Sequence, residues 1–167
     1  SNHVSIHHLH DGYNLIGVNV LSQDSTVGTV LESLGENVNN IITETNASIQ
    51  VLPGTWVGGL SEINHLNGYW VNLDFDVEDK LIISGERVAC QEMVYNLRDG
   101  YNLISFCCEQ PLSVDNLPLG CTRIIGESNA SIYSNNNWVG GLNELESGRG
   151  YWIHCDESVD FNWNCSE

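Results

Sequence analysis

Residues able to do chemistry are present in this chain, but they do not fall into a catalytic pattern. Nucleophilic hydrolysis needs a Ser, Cys or Thr beside a His and a carboxylate. There is no Gly-x-Ser-x-Gly turn, no His-Glu-x-x-His and no Cys-x-x-Cys; the nearest approach is His154 beside Cys155. Four histidines (His3, His7, His8, His10) crowd the first ten residues, and strand alternation places His8 and His10 on one face. Imidazoles suit Zn, Cu or Ni, but no second ligand group accompanies them, so they read as polar residues of an edge strand. Asp74, Asp76, Glu78 and Asp79 alternate as calcium ligands do, yet lack the Gly and terminal Glu of an EF-hand loop. They read as a solvated acidic turn. No catalytic residue, metal ligand or cofactor is assigned.

What must position these residues is a unit that occurs twice. Asp11-Gly-Tyr-Asn-Leu-Ile16 returns as Asp99-Gly-Tyr-Asn-Leu-Ile104, 88 residues on, and Asn46-Ala-Ser-Ile49 returns at Asn129, 83 residues on. Trp56-Val-Gly-Gly-Leu60 and Gly68-Tyr-Trp-Val71 return at Trp138 and Gly150, both 82 residues on. Four blocks in one order define a duplicated unit, with domains at residues 1–88 and 89–167. The second follows Gly85 and Glu86 with no Pro/Ser-rich linker, so the two units are expected to abut. Three carboxylates recur with the blocks: Asp11/Asp99, Glu44/Glu127 and Glu62/Glu144. The two Asp belong to Asp-Gly turns, where a local hydrogen bond accounts for them. A carboxylate-pair glycosidase is the only enzyme these residues suggest, and it ranks last among the readings.

Charge narrows the partners. Five Lys and Arg against 22 Asp and Glu give a net charge of −17, which argues against nucleic acid and anionic lipid. No apolar run approaches the ~20 residues of a membrane-spanning helix. The chain begins Ser1-Asn2 without a Met or an apolar leader, as a secreted chain would after signal removal, or as a cleaved tag would leave it.

Six Cys point to an oxidising compartment, and all lie in the second unit. Aligned on the first, Cys108 stands at Val20, Cys107 at Asn19, Cys121 at Val38, Cys155 at Leu73, Cys165 at Ile83 and Cys90 at Asn2. Adjacent strand residues point to opposite faces, so Cys107 and Cys108 need different partners. The expected pairs are Cys90–Cys107, Cys108–Cys121 and Cys155–Cys165, the last across a hairpin.

Local patterns predict a mainly β fold: two small sandwich or barrel-like domains, each with at most one short helix. Val4 and Ile6 alternate with polar residues, and Tyr13 to Val20 forms a second strand. Val27, Val30, Leu31 and Leu34 have helical spacing, with Ser25 or Thr26 as cap and Gly35 as stop. Pro111, Pro118 and a shorter segment reduce the corresponding helix to a turn in the second unit. Ile41-Ile42 pairs with Ser48 to Leu52, Tyr69 to Leu73 is a strand, and Leu81 to Ile83 closes the unit. Trp56, Trp70, Trp138, Trp152 and Trp163 read as core residues rather than sugar platforms.

The sequences Gly-Tyr-Asn-Leu-Ile, Trp-Val-Gly-Gly-Leu and Gly-Arg-Gly-Tyr-Trp-Ile resemble a tandem repeat of secreted bacterial surface proteins. That repeat has Trp where this chain has Tyr13 and Tyr101, and it lacks these Cys. The resemblance implies a secreted β module of a surface or extracellular assembly and carries over no catalytic residue. The expectation is therefore a non-enzymatic, extracellular building block that associates with itself head to tail; the alternative is a lectin-like adhesin module using exposed Trp and Tyr. The opening strand would make the subunit contact through His3, Val4, Ile6 and His8. Asn46 and Asn129, each in an Asn-Ala-Ser sequon, are the expected glycan acceptors.

Overall fold

The repeated Asp-Gly-Tyr-Asn-Leu-Ile block folds the same way in both units. The Gly sits at positive φ (+75° at Gly12, +102° at Gly100) to make the turn. The following Asn braces it from inside: Asn14 accepts from the His10 N–H and donates to the carbonyls of His10, Gly12 and Val71, and Asn102 repeats the set with Arg98, Gly100 and Ile153.

The computed structural model describes residues 2–165. The first unit runs β1 (His3–Leu9), β2 (Gly12–Gly17), β3 (Val20–Leu21), α1 (Val27–Val30), β4 (Val38–Ile42), β5 (Ala47–Leu52), β6 (Thr55–Gly58), β7 (Gly68–Leu73) and β8 (Asp79–Arg87). The second runs β9 (Tyr95–Leu97), β10 (Gly100–Ser105), β11 (Leu112–Ser113), β12 (Cys121–Ile125), β13 (Ala130–Ser134), β14 (Asn137–Gly140), β15 (Glu144–Leu145), β16 (Gly150–Cys155) and β17 (Val159–Phe161). The fold is mainly β, as the sequence predicts. Each unit holds an antiparallel five-stranded sheet, ordered β2-β7-β4-β5-β6 and β10-β16-β12-β13-β14. A second layer joins the first and last strands of the same unit: β1-β8-β3 in one, β9-β17 in the other. Each unit buries its own core between these layers.

The predicted helix shrinks to four residues. Thr26 is its N-cap but makes no side-chain cap, because its hydroxyl bonds to Asp24, and Gly35 kinks the 3-10 turn that follows. In the second unit that region keeps only a 3-10 turn, Val114–Asn116.

Two of the expected disulfides are corrected. Cys90–Cys107 forms, but Cys108 pairs with Cys165 and Cys121 with Cys155. β16 and β17 lie in different sheets, so no hairpin sets Cys155 against Cys165. Cys121 and Cys155 are instead direct cross-strand partners, as Val38 and Leu73 are in the first unit. A buried apolar contact in one copy is a covalent bond in the other.

The two units abut, as expected of a chain with no linker between them. The closing strand β8 does not continue into β9; each is paired inside its own unit, β8 with β1 and β9 with β17. What joins the units is reciprocal. Glu127 of unit 2 accepts from the Leu15 N–H on the open edge of β2 at 2.7 Å, and Glu44 of unit 1 accepts from Leu103 N–H on β10 at 2.8 Å. The second oxygen of Glu127 meets His10 at 2.6 Å, and that of Glu44 meets Arg98, the residue at the matching position. Ile16 bridges to Arg149 as Ile104 bridges to Asn67. Leu15 and Leu103 are fully buried yet belong to neither core; they fill the seam. A Cβ on Gly150 would lie 2.7 Å from the Ile16 carbonyl oxygen, so the close approach requires glycine there. Contacts that recur with the units exchanged make this an isologous interface, which closes on itself and does not propagate.

A hydrogen bond to a charged group is worth about 1.5–3 kcal/mol. Glu44→Ala and Glu127→Ala should therefore each lower unfolding stability by about that much, and by similar amounts because their roles match. Urea denaturation checks this; a loss confined to one variant contradicts the reciprocal seam.

Candidate functional site

Among the described residues, one edge of β1 is left without a strand partner. β1 is the outer strand of its sheet and pairs along its whole length with β8, with Ile6 opposite Ile82. The Ile82 N–H donates to Ser33 Oγ at 2.9 Å, away from β1. Ile6 and Ile82 thus form a non-hydrogen-bonded pair, and the N–H and C=O of Ile6 point outward, as do those of Val4 and His8 two residues to either side. The side chains of Val4 and Ile6 are also more than half exposed, at 57% and 53%. They share their face with His8, Lys80, Ile82 and Ser84. None of these six residues is acidic, although the chain carries −17; the nearest carboxylates, Glu78, Asp79 and Glu86, sit at the two ends of the patch.

β1 is turned against the usual pattern, in which apolar residues face the core. Its inner face is His3, Ser5, His7 and Leu9. Ser5 and His7 line a cleft of about 400 Å³ beside the strand, with Asn19, Arg87 and the 146–149 turn of unit 2 as further walls. Ser5 Oγ, His7 Nε2 and Asn19 Oδ1 are buried and without a hydrogen-bond partner. The His7 ring bonds to the Gly148 carbonyl. Because Nε2 is the unpartnered atom, Nδ1–H is the donor and Nε2 carries a lone pair.

The other candidates fall elsewhere. Cys155 is consumed in a disulfide, and His154 stacks edge-on with Tyr101, ring centroids 4.7 Å apart. Both oxygens of Glu127 are engaged by Leu15, His10 and Arg149, so this carboxylate braces the seam. Glu62 and Glu144 are exposed. Asp11 accepts from the Asp76 N–H, and Asp79 from Asn37 and Lys80, so the acidic turn is tied by hydrogen bonds within the unit. Among the described residues only Cys90, Cys108 and Cys165 cluster at metal-ligand distances, and all three are in disulfides.

The tryptophans divide. Trp163 is buried among Tyr95, Phe106 and Phe161. The other four are only partly buried, and the core rings are Tyr69 and Tyr151. Strand alternation sends Trp70 and Trp152 to the outer face. There they meet the half-exposed Tyr13 and Tyr101 edge-on, at 6.4 and 6.3 Å. Asn46 and Asn129 are exposed at the β4–β5 and β12–β13 turns. The Ser of each sequon is buried and donates to the Leu60 or Leu142 carbonyl, which explains its recurrence without a glycan.

Sequence patterns did not point to Ser5, His7 or Asn19 as a group, nor to the Glu44 and Glu127 seam. The usable signal was substitution between copies: Met93, Tyr95 and Cys107 replace Ser5, His7 and Asn19. Comparison with protein families, curated proteins and solved structures finds no match for this chain.

Burial lowers the His7 pKa from 6.5 to about 4, opposed by the Gly148 bond and aided by the Arg149 charge. The folded state thus holds His7 neutral while the unfolded chain protonates it. Its contribution is full above pH 6.5 and is lost as pH falls toward 4, up to about 3 kcal/mol. His10 acts in the opposite sense: its pKa is raised chiefly by the Glu127 hydrogen bond, so its contribution is present at low pH and fades as pH rises. His7→Phe should flatten the loss of stability between pH 6.5 and 4.5 in denaturant titrations. An unchanged slope excludes a buried neutral His7.

Proposed function

We propose that this chain is a non-enzymatic structural building block of an extracellular assembly, whose copies join through the edge of β1. The observation that carries this reading is a seven-residue edge strand with outward backbone groups, exposed Val4 and Ile6, and no acidic residue in a strongly acidic chain. Natural edge strands are usually guarded by Lys, Pro or a bulge; β1 has none of these. The neighbouring copy contributes a sheet edge, backbone hydrogen bonds supply affinity, and the heterologous contact repeats head to tail. Val4, Ile6 and His8 remain the contact residues, whereas His3 lies on the inner face of the strand and is withdrawn from the set. β1 stays in its own unit and offers its free side, rather than leaving to complete another. Three disulfides support an oxidising, extracellular setting.

A second reading, a lectin-like module, is favoured by the outward Tyr13/Trp70 and Tyr101/Trp152 pairs. A change in Trp fluorescence on adding glycans, lost in Tyr13→Ala with Tyr101→Ala, separates it from the first.

Ile6→Pro removes an outward N–H and leaves the ladder to β8 in place, because the Ile6–Ile82 pair carries no hydrogen bond. Sedimentation and electron microscopy should show assemblies of the parent chain that are absent from Ile6→Pro and Val4→Lys, with thermal melts preserved. A parent chain that stays monomeric at high concentration with its disulfides intact defeats the assembly reading. Glycans on Asn46 and Asn129 belong to the same extracellular reading, and material from a glycosylating secretory host should exceed the polypeptide mass. A mass equal to the bare chain removes them.

A further inference from the structure

The cleft behind β1 has a counterpart in unit 2 that is filled. There Tyr95 takes the place of His7, Met93 of Ser5, Cys107 of Asn19 and Phe106 of Val18. Tyr95 bonds to Ser105, and its ring joins the cluster of Phe106, Phe161 and Trp163. One fold thus solves this space twice, once with packed rings and a disulfide, once with polar groups around an opening. Buried polar groups left unpaired are costly, and unit 1 has gathered three of them in one place.

The chemistry of the walls selects the occupant. His7 Nε2 and Asn19 Oδ1 both present lone pairs, since Asn19 Nδ2 already donates to the Phe106 carbonyl; the Ser5 hydroxyl can donate or accept. Acceptors of this kind repel an anion. The two arginines bordering the cleft are matched, Arg149 by Glu127 and Glu146, Arg87 by Glu109. The cleft is therefore close to neutral, with Arg87 and Arg149 supplying its N–H donors. A metal ion is poorly served by one imidazole and one amide. Hydroxyl groups fit, because each donates to a wall acceptor while accepting from a guanidinium N–H. A volume of about 400 Å³ falls in the range of small-molecule sites.

We propose that the cleft formed by Ser5, His7, Asn19 and the 146–149 turn binds a neutral polyhydroxylated molecule the size of one sugar ring. The proposal uses none of the outward aromatic residues; because Val4, Ile6 and His8 also line the cleft, its test is made on the monomeric chain.

The test is NMR on the full chain labelled with ¹³C at histidine Cε1, with the His7 signal assigned by its loss in His7→Gln. The probes are the methyl glycosides of glucose, galactose, mannose and N-acetylglucosamine, with sodium phosphate as the anionic probe. At least one glycoside should move the His7 signal saturably at concentrations up to about 50 mM, above the millimolar range of weak binding. Phosphate should not. His7→Phe, which imitates the ring in unit 2, should abolish the response of the remaining histidine signals to the sugar. Ser5→Ala, a small change that keeps the fold, should weaken binding about 5-fold, the loss of one hydrogen bond. No saturable shift with any glycoside, an equal shift with phosphate, or full affinity in Ser5→Ala overturns the proposal.

Discussion

A carboxylate from each unit reaching the open edge of the other's sheet holds this molecule in one piece. Glu127 on Leu15 and Glu44 on Leu103 satisfy backbone donors that would otherwise face solvent at β2 and β10. They also set Leu15 and Leu103 into a dry seam, worth about 2 kcal/mol for each side chain buried. Because the contact is reciprocal, it is complete with two units and leaves nothing to extend. Among the free edges left, β6 and β14 are four residues long, whereas β1 is seven and carries exposed Val4 and Ile6 on its outer face.

Within that frame the two units have stabilised the same layers by different means. Unit 1 has a short helix and a following 3-10 turn, which place Val27, Val30, Leu31 and Leu34 in the core. Unit 2 has lost it, and three disulfides closing separations of 17, 57 and 34 residues stand in its place. Links of this kind contribute about 2–4 kcal/mol each, mainly through the unfolded chain. The aromatic cluster around Trp163 fills what remains. Divergence freed unit 1 from filling the space under β1, and His7 occupies it as a neutral acceptor.

The repeat, the β class, most strand positions and the Asp-Gly turns were legible in the sequence, because they depend on neighbours two to four residues apart. Alternation at Tyr69-Trp70-Val71 was visible as well, but it does not say which face is inward, and the Trp residues turned out to be the outer ones. The Cys90–Cys107 link was legible from position. Cys108–Cys165 and Cys121–Cys155 were not, because they depend on which strands lie side by side. The copies held a clue, since Val38 and Leu73 are the apolar counterparts of Cys121 and Cys155, but only the β4–β7 register makes them partners.

By itself, then, the sequence determined that two like units of short strands would form, that the chain would be acidic and cross-linked, and where each turn would fall. Tertiary structure alone decided that Glu44 and Glu127 exchange places across a seam, that β1 carries its apolar side outward, and that Ser5, His7 and Asn19 share one cleft. The physical reason is separation along the chain. Backbone geometry and turn chemistry act within a few residues, whereas Leu15 and Glu127 lie 112 residues apart. Which of the many acidic side chains reaches that strand edge is settled only by packing both sheets at once.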